Sequence, residues 1–379
     1  MDTEGGWLTA PADPLTKIYV EPTSRCNLNC VTCIRHSWDE PFEDLPWPAY
    51  QALIDGLAGF PEAKTVAFAG FGESLCHPRF PDMVRLAHER GLRTEMTSNA
   101  LLLAPPMAER LADAGLDQIT VSIDGTSDES LAAVRPGASL GKIVGNVKGL
   151  RRRCEQGRAE PLRIGIEFVA MQSNIREMPA LQKIAEEIQA SYVIVSNVLP
   201  YTAELQGEIL YDLEPTSYEG AGNERNPHWH LPKMDWRRDT MDAVAAIASE
   251  RANLHYLDID LNLRNNYCPF IRPGSLALSC HGEVCPCPPL LHSYTCYLRG
   301  WKKSFRRCVY GDLKEQPLEA IWRAPEYAAF RDRVRKFEFS PCVDCGGCED
   351  SEKNEKDCQG NPFPVCGDCL WARGVLRCA

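Results

Sequence analysis

Three cysteines, Cys26, Cys30 and Cys33, stand in a C-x3-C-x2-C array within IYVEPTSRCNLNCVTCIRHS (residues 18–37), directly after an apolar, strand-like run. No other stretch constrains the chain so tightly. Three thiolates on one short loop can hold three irons of a 4Fe–4S cube, whereas the usual protein cluster has four cysteine ligands. A local set of three leaves one iron open, and an open position is where a catalytic metal takes its substrate. A lone C-x2-C would suit zinc equally well. The x3-then-x2 triplet after a first strand favours the iron–sulfur cube.

Eighteen cysteines are many for 379 residues. A secreted disulfide scaffold is the first alternative. It fits poorly, because helical and strand patterns fill the first half. The N-terminal MDTEGGWLTAPADP is also acidic and lacks the apolar core of a signal peptide. Metal ligation fits better. No run approaches the roughly 18 apolar residues of a membrane span. The expectation is a soluble, cytoplasmic protein with no membrane contact. A net charge of −11 argues against nucleic acid as a partner, since that partner calls for a basic surface.

Apolar runs alternate with segments of helical spacing. Strands are expected over 17–21, 65–69, 93–97, 118–123, 163–171 and 192–198. Helices are expected over 47–59, 82–90, 105–114, 140–153 and 178–189. Such alternation builds βα units around a parallel sheet. Six units are too few for a closed eight-stranded barrel. Sites in such folds lie at the C-terminal strand ends. Residues 1–15 read as a lead-in and 16–200 as the core. Residues 201–254 read as an aromatic-rich insert or lid followed by a helix, and 255–379 as a small cysteine-rich domain.

The cysteine loop resembles that of the radical S-adenosylmethionine (SAM) superfamily. The resemblance implies an α/β fold, a partial (β/α)6 TIM-like barrel. It implies that SAM chelates the open iron through its amino and carboxylate groups. An electron from the cluster then cleaves SAM to methionine and a 5′-deoxyadenosyl radical. Cys26, Cys30 and Cys33 are on this view both metal ligands and catalytic residues. Thr32 stands where the family usually has an aromatic residue.

Other segments extend the resemblance. Gly70, Phe71, Gly72, Glu73 and Ser74 resemble the G-G-E-P motif that holds SAM's amino group, with Ser74 in place of proline. Glycine lets backbone approach a ligand, and Glu73 can accept a hydrogen bond. Thr97, Ser98 and Asn99 resemble the T-N-G edge near SAM, or form a polar turn. Ser122, Ile123, Asp124 and Gly125 resemble an S-I-D-G segment of peptide-modifying members. Ser122 is expected at SAM; Asp124 is expected there too, or as a cap on the next turn. Arg135 is expected to pair with SAM's carboxylate. Alternation leaves open whether Glu167, Met171, Ser196 and Asn197 face the barrel or its packing.

Further on, Cys268, Gly282 and Cys287 stand in a C-x13-G-x4-C pattern, followed by a Tyr310-Gly311-Asp312-Leu313 turn and a short helix bearing Trp322. The pattern resembles the SPASM domain, a C-terminal extension of radical SAM enzymes that holds two auxiliary 4Fe–4S clusters. Cys342, Cys345, Cys348, Cys358, Cys366, Cys369 and Cys378 follow at spacings x2, x2, x9, x7, x2 and x8. The usual array is C-x2-C-x5-C-x3-C, so these thiols are not assigned to individual clusters, and structural zinc stays open. Cys285 can replace Cys287, while Cys154, Cys280, Cys296 and Cys308 read as plain thiols.

EPTSRCNLNCVTCIRHSWDE, GFGESL and DCQGNPFPVCGDCLWARG together resemble the radical SAM maturases associated with tungsten-cofactor oxidoreductases. The resemblance implies an enzyme that abstracts hydrogen from a peptide, protein or cofactor substrate. Its implied partners are a tungsten-containing aldehyde oxidoreductase-type enzyme and an electron donor of ferredoxin or flavodoxin type. One other enzyme reading is a ribosomal-peptide maturase that forms thioether or carbon–carbon crosslinks. Outside enzymes stands an iron–sulfur electron-transfer or cluster-delivery protein, which needs no SAM pocket.

Overall fold

The computed structural model describes residues 13–156, 160–212, 216–220, 227–249, 254–255, 267–340, 342 and 349–378. Six short strands form the middle of one sheet. They are β1 (Lys17–Val20), β2 (Thr65–Phe68), β3 (Arg93–Ser98), β4 (Gln118–Ser122), β5 (Arg163–Ala170) and β6 (Tyr192–Asn197). Each pairs in parallel with the next. Parallel strands are covered on both faces and so read as apolar runs; β4 is buried along its whole length.

Parallel neighbours need crossover connections, usually helices. Here they are α1 (Trp47–Gly56), α2 (Phe80–Glu89), α3 (Pro105–Ala114), α4 (Asp128–Val134), α5 (Leu140–Glu155) and α6 (Leu181–Ile188). In α6 the buried Leu181, Ile184, Ala185 and Ile188 fall at i, i+3, i+4 and i+7, one apolar stripe. The result is the α/β partial (β/α)6 barrel that the sequence implied. Helix α4 was not expected. Its capping box starts at Ser127, whose hydroxyl accepts the Ser130 N–H while Ser130 Oγ accepts the Ser127 N–H. Asp124 therefore does not cap it.

The sheet continues past both ends of the six. Beyond β6 come β7 (Thr216–Gly220), β8 (His228–Met234) and β9 (Leu254–His255), with β8 parallel to β6. Part of the insert or lid expected over 201–254 is therefore sheet. Trp229 and Leu231 are fully buried, so β8 is a core strand whose His, Trp and Pro content disguised it. Helix α7 (Arg238–Ser249) follows. Residues 255–263 alternate like a strand in sequence, but all except His255 lie outside the described residues.

Beyond β1 come β10 (Ser275–Leu278), parallel to it, and then the antiparallel β11 (Glu283–Cys285). A separate hairpin joins β12 (Tyr294–Leu298) to β13 (Trp301–Phe305), and β14 (Gly311–Asp312) closes the sheet edge. Helices α8 (Leu318–Trp322) and α9 (Pro325–Lys336) precede the cysteine-rich tail. The C-terminal part is thus hydrogen-bonded into the barrel sheet. Among the described residues no helix is long and apolar enough to cross a membrane.

Candidate active site

The strand ends open on a cavity of about 310 Å³. Cys26, Cys30 and Cys33 line it, together with Gly70, Gly72, Glu73, Ser98, Asn99, Ser122 and Arg135. The cysteine loop folds on itself: the Leu28 N–H donates to Cys26 Sγ at 3.4 Å, and the Cys33 N–H to the Cys30 carbonyl at 3.1 Å. Burial pushes the Cys26 and Cys30 thiols up. Cations stand beside the sulfurs, Arg35 Nε at 3.3 Å from Cys33 Sγ and Arg135 Nη1 at 3.8 Å from Cys30 Sγ. Thiols so placed keep their protons in water and release them to solvent when a metal binds the sulfur. Three of them around an open chamber fit a cube with one iron free.

The loop after β2 lies hard against the loop after β1. A Cβ on Gly72 would stand 2.0 Å from the Thr23 carbonyl oxygen, and one on Gly70 2.5 Å from the Glu21 side chain. Only glycine allows this approach. Glu73 is buried and already accepts three protein donors: Ser98 Oγ at 2.8 Å, the Asn99 N–H at 2.8 Å and the Leu75 N–H at 3.2 Å. Its carboxylate therefore ties the loop to the end of β3. Asn99 Nδ2 continues the chain to Asn27 Oδ1 at 2.9 Å, reaching the cysteine loop.

Asp124 does not line the chamber. It is fully buried behind Arg135, with Oδ2 at 2.6 Å from Arg135 Nε and Oδ1 accepting the Val169 N–H at 2.8 Å. A carboxylate this deep needs a cation, and Arg135 is the one it has. Burial alone would lower the Arg135 pKa; Asp124 and Cys30 outweigh it and raise it. The guanidinium is thus a fixed positive charge at the chamber wall. Glu167, Ser196 and Asn197 face the chamber, whereas Met171 is buried in packing. Burial pushes the Glu167 carboxyl up to about 7, against the pull of Arg135. Alternation along β5 had left its facing open; the structure turns it into the chamber.

A second cavity, apolar and of about 50 Å³, gathers Cys268, Cys287, Cys366 and Cys369. Burial pushes Cys287 and Cys366 well up and Cys369 to about 12, and nearby thiols of the same set push further. Cys285, buried in β11, is not in that lining, so Cys287 fills the place. Cys342 and Cys358 lie near each other; burial raises Cys342 to about 11, and Cys358 Sγ is 3.0 Å from Ser340 Oγ. Cys345 and Cys348 lie outside the described residues. Cys378, counted in sequence with the auxiliary thiols, lines the first chamber instead and accepts from Trp371 Nε1 at 3.0 Å. The tail reaches there because Asn197 Nδ2 donates to the Val375 carbonyl at 2.7 Å and the Arg377 N–H to Ser196 Oγ at 3.1 Å.

Known proteins carry the same two parts. Residues 20–156 match the family model of the radical SAM superfamily, and residues 268–349 match that of the SPASM iron–sulfur cluster-binding domain. Over 370 residues the chain is 30% identical to the tungsten-containing aldehyde ferredoxin oxidoreductase cofactor-modifying protein of Pyrococcus furiosus, covering 95% of this chain and 96% of the relative. The chain belongs to the radical SAM superfamily. As a radical SAM enzyme with a SPASM domain, it uses SAM and 4Fe–4S clusters. A more distant relative along most of its length is an AdoMet-dependent heme synthase of Methanosarcina barkeri, 25% identical over 364 residues, 92% of this chain and 93% of the relative. Two solved structures share the radical SAM fold. Streptococcus suis SuiB bound to S-adenosylmethionine has a TM-score of 0.59 at 16% identity, covering 88% of this chain and 71% of that one. Native anSMEcpe with bound AdoMet has a TM-score of 0.55 at 16% identity, covering 95% of this chain and 96% of that one.

Proposed function

We propose that this enzyme cleaves SAM reductively and acts in the maturation of a tungsten-cofactor oxidoreductase of the aldehyde-oxidoreductase kind. The observation that carries the chemistry is the chamber, with three thiols, one open side and a fixed arginine. The whole-length relation to the P. furiosus cofactor-modifying protein supports the tungsten partner. In this reading Cys26, Cys30 and Cys33 hold the catalytic cluster. With SAM bound, that cluster would supply the electron that splits SAM into methionine and a hydrogen-abstracting 5′-deoxyadenosyl radical.

This chain's own residues do the rest. The backbone at Gly70 and Gly72 seats SAM's amino group, and Glu73 holds that loop against Ser98 and Asn99. Arg135, braced by Asp124, takes the carboxylate in the paired geometry a guanidinium offers. Ser122 supplies a further polar contact, and Glu167 and Ser196 face the substrate. Cys268, Cys287, Cys366 and Cys369 hold one auxiliary cluster. Cys342, Cys345, Cys348 and Cys358 form the remaining set of four. We place the core at 16–200 and the cluster domain at 255–379. We place the protein in the cytoplasm, with a ferredoxin- or flavodoxin-type donor supplying the electron.

Anaerobically reconstituted protein given SAM and dithionite should release 5′-deoxyadenosine. An aldehyde-oxidoreductase-type partner produced beside this chain should carry a tungsten cofactor that differs when the chain bears Cys26, Cys30 and Cys33→Ala. SAM cleavage with an unchanged partner cofactor would sink the tungsten assignment and send the search to peptide substrates.

A further inference from the structure

A buried chain of charges joins the C-terminal part to the loop that seats SAM. His292 is 1% exposed. Its Nε2 lies 2.8 Å from Glu21 Oε2 and its Nδ1 2.6 Å from Glu40 Oε2. A ring with a carboxylate at each nitrogen donates from both and is an imidazolium. Glu21 is fully buried just past β1. Its Oε1 accepts the Phe71 N–H at 2.9 Å, inside the Gly70–Glu73 loop, and its Oε2 also accepts the Cys280 N–H at 3.3 Å. Glu40 accepts the Ser293 N–H at 3.0 Å and lies 3.8 Å from His281 Nε2, whose Nδ1 is 2.9 Å from Glu43. Trp38 and Phe71 pack on the His292 ring, with centroids at 4.1 and 5.9 Å.

Glu21, Cys280 and His292 have the donor types of a metal site. Yet both ring nitrogens and both Glu21 oxygens already have partners, so the geometry asks for a proton and not for an ion. We infer that His292 is a positioning residue for SAM: it holds Glu21, and Glu21 holds the Phe71 N–H that sets the SAM loop. This rests on the SAM reading of that loop. Without its cation Glu21 is an unpaired buried charge, which must take up a proton or move. Proton uptake weakens Oε1 as an acceptor for the Phe71 N–H, and movement breaks that bond.

The clasp has a pH limit. The groups facing His292 are Glu21 at the end of β1, Glu40 on the 38–44 segment, and His281 and Cys280 on the turn before β11, with Glu43 behind His281. Burial would lower the His292 pKa; Glu21 and Glu40 outweigh it and hold it up to about 9. A folded pKa raised above the ordinary 6.5 means the contribution is complete at low pH and is lost as pH rises through about 9.

The test is equilibrium SAM binding to reconstituted wild type, His292→Gln and Glu40→Gln, with iron content and Tm measured in parallel across the range around pH 9. His292→Gln should keep its iron and bind SAM about tenfold more weakly, the scale of one lost charge-assisted hydrogen bond. Wild-type affinity should fall through pH 9, and the His292→Gln curve should be flat there. Glu40→Gln should move the wild-type fall to lower pH; should His292→Gln not fold, that shift alone decides. Unchanged SAM affinity and pH profile in a variant with lowered Tm would make the clasp merely structural and overturn the inference. One divalent metal per chain, lost in His292→Gln, would overturn it as well. Wild type that binds no SAM at any pH would overturn the chamber reading itself and this inference with it.

Discussion

The two thiol cavities of this chain use the same ligand in opposite surroundings. Around Cys26, Cys30 and Cys33 the wall carries charged and polar groups, with Arg35 and Arg135 at the sulfurs and Ser122, Asn99 and Glu167 facing inward among apolar neighbours. Around Cys268, Cys287, Cys366 and Cys369 the wall is apolar, with Phe270, Ile271, Leu290 and Phe330 among its residues. A set of four closes a cluster's coordination, and an apolar shell then acts on its potential by excluding water. A set of three leaves a position, and a polar wall lets a charged ligand enter it. Ligand number and wall polarity change together, which is what a catalytic and an auxiliary cluster demand of one chain.

Removing each set separately tests that division hardest. Cys26, Cys30 and Cys33→Ala together should abolish 5′-deoxyadenosine formation and lower the iron load by about four per chain, one cube. Cys287→Ser with Cys366→Ser should also lower the iron by about four, yet leave SAM binding intact. Iron analysis paired with a SAM-binding isotherm reads both. If the second variant also lost SAM binding, the two cavities would not be separable.

Arg135 is the next largest effect. Arg135→Ala removes a charge-assisted donor pair and strands the buried Asp124. SAM affinity should fall about tenfold to a hundredfold, in line with ~1.5–3 kcal/mol for a hydrogen bond to a charged group. Arg135→Lys keeps the charge but not the planar fork, and should recover only part of the loss. Full recovery by lysine would mean that charge alone matters at this wall.

Much of this division was legible in sequence. All six barrel strands fall within two residues of expectation, because doubly covered strands leave continuous apolar runs. The cysteine triplet and the Gly70–Glu73 loop were legible because each is local: spacing and glycine alone carry their geometry. What was not legible depends on distant pairing. Helix α4 hid behind a Ser127–Ser130 box in place of the usual acidic third residue. Glu21 meets His292 across 271 residues, and nothing near either residue announces the other. Asp124 was expected at SAM because its segment points there, but the pairing with Arg135 draws its carboxylate one layer back.

Glu167 sharpens the contrast through pH. Burial, partly offset by Arg135, raises its carboxyl from 4.5 to about 7. The folded chain then holds this proton more tightly than the unfolded chain. Stability from this group is full below about 4.5 and is lost as pH rises through 7. Glu167→Gln should flatten that slope and exceed wild type at high pH by on the order of 3 kcal/mol, read as Tm against pH. Among the described residues that line the apolar second cavity, the one carboxylate is Asp368, which Lys303 pairs at 2.6 Å. A variant with the wild-type slope would remove Glu167 from the chamber's electrostatics.

Cys378 should give the smallest effect on iron, and that smallness is informative. Counted along the sequence it is one more auxiliary thiol. In the fold the tail is pinned to the end of β6, and the sulfur lines the three-thiol chamber near Glu167 and Trp371. The apolar cavity gathers four thiols, Cys268, Cys287, Cys366 and Cys369, without it. Cys378→Ala should therefore leave the iron load unchanged while altering SAM turnover or substrate fit, since it empties volume beside the reacting site. A loss of about four irons per chain would return Cys378 to the auxiliary ligands. It would also mean that the tail leaves the chamber once the clusters are in place.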